Sequence, residues 1–249
     1  MMDATTIWTI TRKELRDAQR NRWVTLLAAM FAVLSLALSA LGLSGLGTIG
    51  ITGFGRTAAS LLNLVLLLVP LMGLLMGAVS VSAEREQGTL VTVMAQPVTP
   101  SEVLLGKFLG ASLALVAAIG LGFGLSGLVI VRGSGVSQLS VYLNLVGLTL
   151  LLGIVHVGIG ICLSVMTRRS ATAIGLAVFV WLFFTLIWTV ESKRTTPSTT
   201  GWHSWAITLA ASGFVGLIGW FGLAEYAVQA LAKARVSSES LDGYLRNYT

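Results

Sequence analysis

Charged residues divide this chain into long apolar runs. Six stretches contain no Lys, Arg, Asp or Glu: 23–55, 57–83, 108–131, 133–167, 170–190 and 195–224. A membrane-spanning helix needs about 20 apolar residues, so each run can hold one. Barrel strands would alternate with a period of two, and these runs do not. The pattern predicts an all-α integral membrane protein with spans near 23–46, 59–83, 106–131, 140–166, 170–190 and 205–230. Ahead of the first span, "TIWTITRKELRDAQRNRW" reads as an amphipathic interfacial helix. Ile7, Ile10, Leu15 and Ala18 share an apolar arc, while Arg12, Lys13, Arg16, Asp17 and Arg20 face water or lipid headgroups. Trp8 and Trp23 suit the membrane interface.

Composition agrees with lipid as the solvent. Hydrophobic residues make up 55% of the chain and charged residues only 10%, against about 25% charged in soluble domains. The net charge of +6 then bears on orientation and not on nucleic acid. An even number of spans puts both termini on one side. That side holds Arg12, Lys13, Arg16, Arg20, Arg22, Arg85, Lys107, Arg168, Arg169, Lys233, Arg235 and Arg246. The other holds Arg56, Arg132, Lys193 and Arg194. Twelve against four places both termini in the cytoplasm. The organisation is a cytoplasmic helix over 1–22, a transmembrane domain over 23–232 and a cytoplasmic tail over 233–249. The first apolar run is far longer than a signal-peptide core and is expected to stay in the membrane.

Several motifs fail on context. "GFGLSG" at 122–127 matches a dinucleotide-binding pattern but lies in an apolar helix, with no acidic residue before Glu191. Small residues spaced by four let membrane helices approach closely, so Gly73 with Gly77, Gly106 with Gly110, and Gly120 with Gly124 read as packing positions. Gly106-Lys107 lacks the remainder of a phosphate-binding loop, since Ser101 and Phe108 stand where glycine and a hydroxyl are needed. His156 and Cys162 point to different sides of one helix, and Met72 and Met76 read as packing, so no metal site is expected. Cys162 is the single cysteine, which rules out a disulfide within the chain. No nucleophile, base and orienting group occur together, and His203 stands alone, so no enzyme is indicated. Mid-span charge is absent. Asn63 and Asn144 are the strongest polar candidates for a translocation path, and Pro70 should kink the second span. Energy for transport would have to enter from the cytoplasm.

The largest cytoplasmic loop, 84–107, is built for such an entry. Glu84, Arg85 and Glu86 end the second span, Gly88 permits a sharp turn, and Thr89 can cap a short helix, "LVTVMAQ". Leu90, Val93, Met94 and Pro97 are apolar although outside the bilayer. Ser101 with Glu102 opens the next helix, and Lys107 sits at its entry into lipid. Such a module can dock a cytoplasmic protein or lie on headgroups.

The pattern Glu84-x-Glu86-x-Gly88-Thr89-Leu90, then Gln96-Pro97-Val98, then Leu105-Gly106-Lys107, resembles the cytoplasmic loop after the second span of ABC type-2 membrane permeases. "ELRDAQRNRW" at 14–23 is similar to the start of the same family. The resemblance implies a homodimer carrying two separate ATPase subunits, with ATP and magnesium bound by those partners and no cofactor on this chain. It implies that 84–107 is a coupling helix, with Glu84, Arg85, Glu86 and Lys107 in charge pairs and Leu90, Val93, Met94 and Pro97 as docking surface. The stretch at 53–78 is similar to a branch that serves maturation of the copper enzyme nitrous-oxide reductase, which implies export of a sulfur species or another assembly factor across the inner membrane. A periplasmic accessory protein, an unrelated drug, lipid or polysaccharide substrate, and a scaffold without transport remain alternatives.

Overall fold

A computed structural model describes residues 4–43, 54–95, 98–134 and 139–194. All regular structure among them is helical. The elements are α1 (Ala4–Arg20), α2 (Arg22–Leu43), α3 (Phe54–Glu86), α4 (Thr89–Met94), α5 (Pro100–Ser134), α6 (Leu139–Met166) and α7 (Ser170–Arg194). Four stretches are long and apolar enough to cross a membrane: Arg22–Leu41, Ser60–Glu86, Pro100–Arg132 and Leu139–Met166. They correspond to the first four expected spans. The expected fifth span falls on α7, whose apolar part Ser170–Leu186 is shorter. The expected sixth span, His203, Pro97 and the tail lie outside the described residues.

Helix α3 is the centre of the bundle and packs on α2, α5, α6 and α7. Its closest partner is α6, and the two run parallel. Gly73 lies beside Gly153 and His156, Gly77 beside Val157 and Ile161, and Ser82 beside Ser164. Glycine makes this approach possible. A Cβ on Gly73 would stand 2.8 Å from the Gly153 carbonyl oxygen, and one on Gly160 would stand 2.5 Å from that of Leu74. Backbone therefore meets backbone, with no flexible side chain between to give way. The Ser164 hydroxyl fastens the C-terminal end of the pair by accepting the backbone N–H groups of Val81 (3.0 Å) and Ser82 (2.8 Å). Pro70 lies inside α3 and offers no N–H to the carbonyl one turn back. The adjacent carbonyl of Leu67 accepts the indole N–H of Trp181 from α7 at 2.8 Å.

Helices α1 and α2 follow one another along α5, separated by Asn21 alone. Higher up, Phe31 of α2, Phe123 of α5 and Tyr142 of α6 stack edge to face, with ring centres 5.4 and 5.9 Å apart. The Ser35 hydroxyl donates to the Gly122 carbonyl at 3.2 Å. Helix α1 is amphipathic as expected, and α5 covers its apolar side. Ile10, Leu15 and Ala18 pack on the protein core.

Candidate functional site

The C-terminal ends of α3 and α6 and the N-terminal end of α5 meet α1, α4 and the start of α7. The three consecutive charges that end α3 each bind a different neighbour. Glu84 Oε1 accepts Lys13 Nζ of α1 at 2.8 Å and Lys107 Nζ of α5 at 2.9 Å. Arg85 Nη1 donates to the carbonyls of Val165 and Thr167, both at 2.8 Å, which closes the C-terminal end of α6. Glu86 Oε2 accepts the backbone N–H of Ser170 at 3.0 Å and its hydroxyl, at the positive end of α7. The charge pairs expected of these residues are, in this structure, contacts within the chain.

Lys107 is likewise turned inward. It is 2% exposed and pairs with Glu14 Oε1 at 2.8 Å as well as with Glu84, while its third donor reaches the Ser80 carbonyl at 3.0 Å. Lys13 completes the network with Glu14 at 3.4 Å and Asp17 at 3.7 Å. Partial burial of the Lys13 amine opposes its charge. The hydrogen bond to Glu84 and the charges of Glu14 and Glu84 outweigh that cost and raise its pKa above the ordinary lysine value.

After Glu86 the chain reverses at Gly88, whose φ of 73° is left-handed. Thr89 does not cap α4. Its hydroxyl donates back to the Glu84 carbonyl at 3.2 Å and closes α3. Leu90 and Met94 are buried in the core, Val93 is half-buried, and Val91, Thr92 and Ala95 are exposed with Gln87 and Gly88. The outward face of α4 is therefore Val91-Thr92-Ala95 and not Leu90-Met94. The following helix starts with Thr99 and not Ser101. Thr99 Oγ1 accepts the Glu102 N–H at 3.3 Å, and Glu102 Oε2 accepts the Thr99 N–H at 2.8 Å. This is a capping box, with Pro100 as the first helical residue, where its missing N–H costs nothing.

The remaining candidates are dispersed. Gly73 and Gly77 pack on α6, and Gly106 and Gly110 receive Ile10 and Glu14 of α1. Nothing lies within 4 Å of a Cβ built on Gly120 or Gly124 among the described residues. Asn63 and Asn144 are both exposed on the described bundle. His156 is buried, and its Nδ1–H donates to the Leu152 carbonyl at 2.8 Å with Phe184 edge-on. Cys162 is buried as well, and no group of three potential metal-ligating side chains occurs among the described residues. Glu14, Gly153, Gly160 and Ser164 were missed from sequence. Glu14 had a signal: it sits among Ile7, Ile10 and Ala18 on the apolar arc of α1, where a carboxylate requires a buried partner.

Residues 8–201 match the model of the ABC-2 family of transporter proteins. The chain belongs to that family. It is similar to the "Probable ABC transporter permease protein NosY" of Pseudomonas aeruginosa, with 36% identity over 185 residues, 73% of this chain and 67% of the relative. The protein of the same name from Stutzerimonas stutzeri gives the same identity and coverage. As an ABC-2 permease subunit, this chain is membrane-embedded and works with a separate ATPase subunit.

Proposed function

We propose that this chain is the membrane half of an ABC exporter and that the ATPase subunit docks on the outward face of α4. The observation that carries the reading is how α4 is held. Glu84, Arg85 and Glu86 fix its base to four other helices, Gly88 turns it, and Leu90 and Met94 root it in the core. A short helix so anchored transmits force in place of absorbing it. Val91, at 38% exposure, with Thr92 and Ala95 gives a small semi-apolar contact. Two copies would carry two ATPases, which hold ATP and magnesium. Both termini face the cytoplasm, as the distribution of Lys and Arg supports. Asn63 and Asn144 are the polar groups available to a path, and a periplasmic accessory protein would meet the opposite end.

The likeness to NosY supports a sulfur species or another copper-site assembly factor as cargo. The docking reading is tested by purifying the tagged chain in mild detergent from its native host and assaying ATP turnover on the eluate. We expect a stoichiometric ATPase subunit, lost in Val91→Asp while the chain stays folded. Full retention in that variant would overturn α4 as the docking helix. The cargo reading is tested by deleting the gene and measuring the copper content of nitrous-oxide reductase. A fully loaded enzyme would exclude it.

A further inference from the structure

The ion network joins three elements that the sequence keeps far apart: Glu14 on α1, Glu84 at the end of α3 and Lys107 on α5. Replacing a buried ion pair as a whole by apolar groups is often neutral, whereas removing one partner strands a charge and is strongly destabilising. Such a network therefore contributes fixed geometry more than stability. The surrounding contacts have the same effect. A Cβ on Gly106 would stand 2.6 Å from Ile10 Cγ2, and the Thr11 hydroxyl lies 3.3 Å from the Gly106 carbonyl. Helix α1 cannot slide along α5 without losing that seat and the ion pair of Glu14 with Lys107.

Beyond Asn21, α1 continues into the first span, α2. Glu84, in turn, lies at the foot of α4. The site also has room for a second arrangement. A cavity of about 340 Å³ lies between α1, α2, α3 and α5, and Ser80 and Glu84 line it. Ser80 Oγ and Glu84 Oε2 are buried without a hydrogen-bond partner among the described residues.

We propose that Glu14, Glu84 and Lys107 form a clasp that makes α1, and through it the first span, move with the coupling segment. The stroke of the ATPase then reaches α2 directly, and not only the two spans that flank α4. The three side chains are positioning residues. This inference rests on the docking role proposed for α4.

Hydrogen exchange on the complex of the full chain with its ATPase subunit tests both readings separately. It is measured without nucleotide and with a non-hydrolysable ATP analogue and magnesium. In the wild type, amides of α4 and α1 should both change protection on nucleotide binding. In Glu14→Gln, α4 should still respond while α1 no longer does, and basal exchange in α1 should rise about tenfold, since α1 loses its charged hydrogen bond to Lys107 while Lys107 keeps Glu84. Lys107→Met should act alike. Glu14→Asp, which keeps a carboxylate opposite Lys107, should retain the response that Glu14→Gln loses, which loss of packing alone would not allow. A wild-type α1 that ignores nucleotide while α4 responds overturns the clasp and leaves the docking reading intact. So does an unchanged α1 response in Glu14→Gln. If neither helix responds, the docking role of α4 has failed, and the clasp falls with it.

Discussion

At the scale of single residues, glycines inside helices have opposite consequences. Gly160 faces backbone, with the Leu74 carbonyl oxygen 2.5 Å from where a Cβ would lie, whereas Gly120 faces nothing within 4 Å. Gly160→Ala should lower the melting temperature in detergent markedly, since overpacking typically costs about 1–3 kcal/mol and a backbone atom cannot yield. Gly120→Ala should be neutral, or stabilising by up to about 1 kcal/mol through helix propensity. The x-x-x spacing was legible in the sequence, but which pairs are used was not, because that depends on which face meets α6. Lys13 permits a prediction against pH. Its folded-state pKa is raised, so its contribution is full below the unfolded value of about 10.4 and is lost as pH rises through the higher folded value. Protection of α1 from limited proteolysis should therefore be flat from pH 6 to about 9 and fall only in strong alkali. A fall already at neutral pH would mean that Lys13 does not hold α1.

At the scale of elements, both amphipathic segments were visible as helices; α1 buries the arc that the sequence offered, whereas the inward face of α4 was not legible. In α4, Leu90 and Met94 point inward and Val91 outward. Leu90→Ala should destabilise the chain by about 2–5 kcal/mol, measured by thermal unfolding. Val91→Ala should stay within about 0.5 kcal/mol yet weaken ATPase retention. The helical period fixes which residues share a side and does not say whether that side meets protein, lipid or a partner. The junction after α4 was misplaced by two residues for a related reason. Serine and threonine both make good caps, and only the reciprocal bonds of Thr99 and Glu102 decide between Thr99 and Ser101. Thr99→Ala should cost about 1 kcal/mol.

At the scale of the whole molecule, the deciding feature is the burial of Lys107 between two carboxylates from different helices. At 2% exposure it is shielded from counterions, so raising salt to about 1 M should leave α1 protected, whereas surface pairs are screened within about 3 Å at that strength. Release of α1 at high salt would show that the network is open to solvent. The sequence by itself determined that the chain lives in lipid, that its described part is helical and where the first four spans run. These follow from composition, run length and local turn chemistry, which act over one or two helical turns. Tertiary structure alone decided what the charges of the 84–107 segment do. Glu84 and Lys107 lie at either end of one loop, and nothing local says that Glu14, on a helix before the first span, will fold back to join them. The cost of an unpaired buried charge is met only when α1, α3 and α5 come together. That requirement makes the expected charge pairs internal anchors.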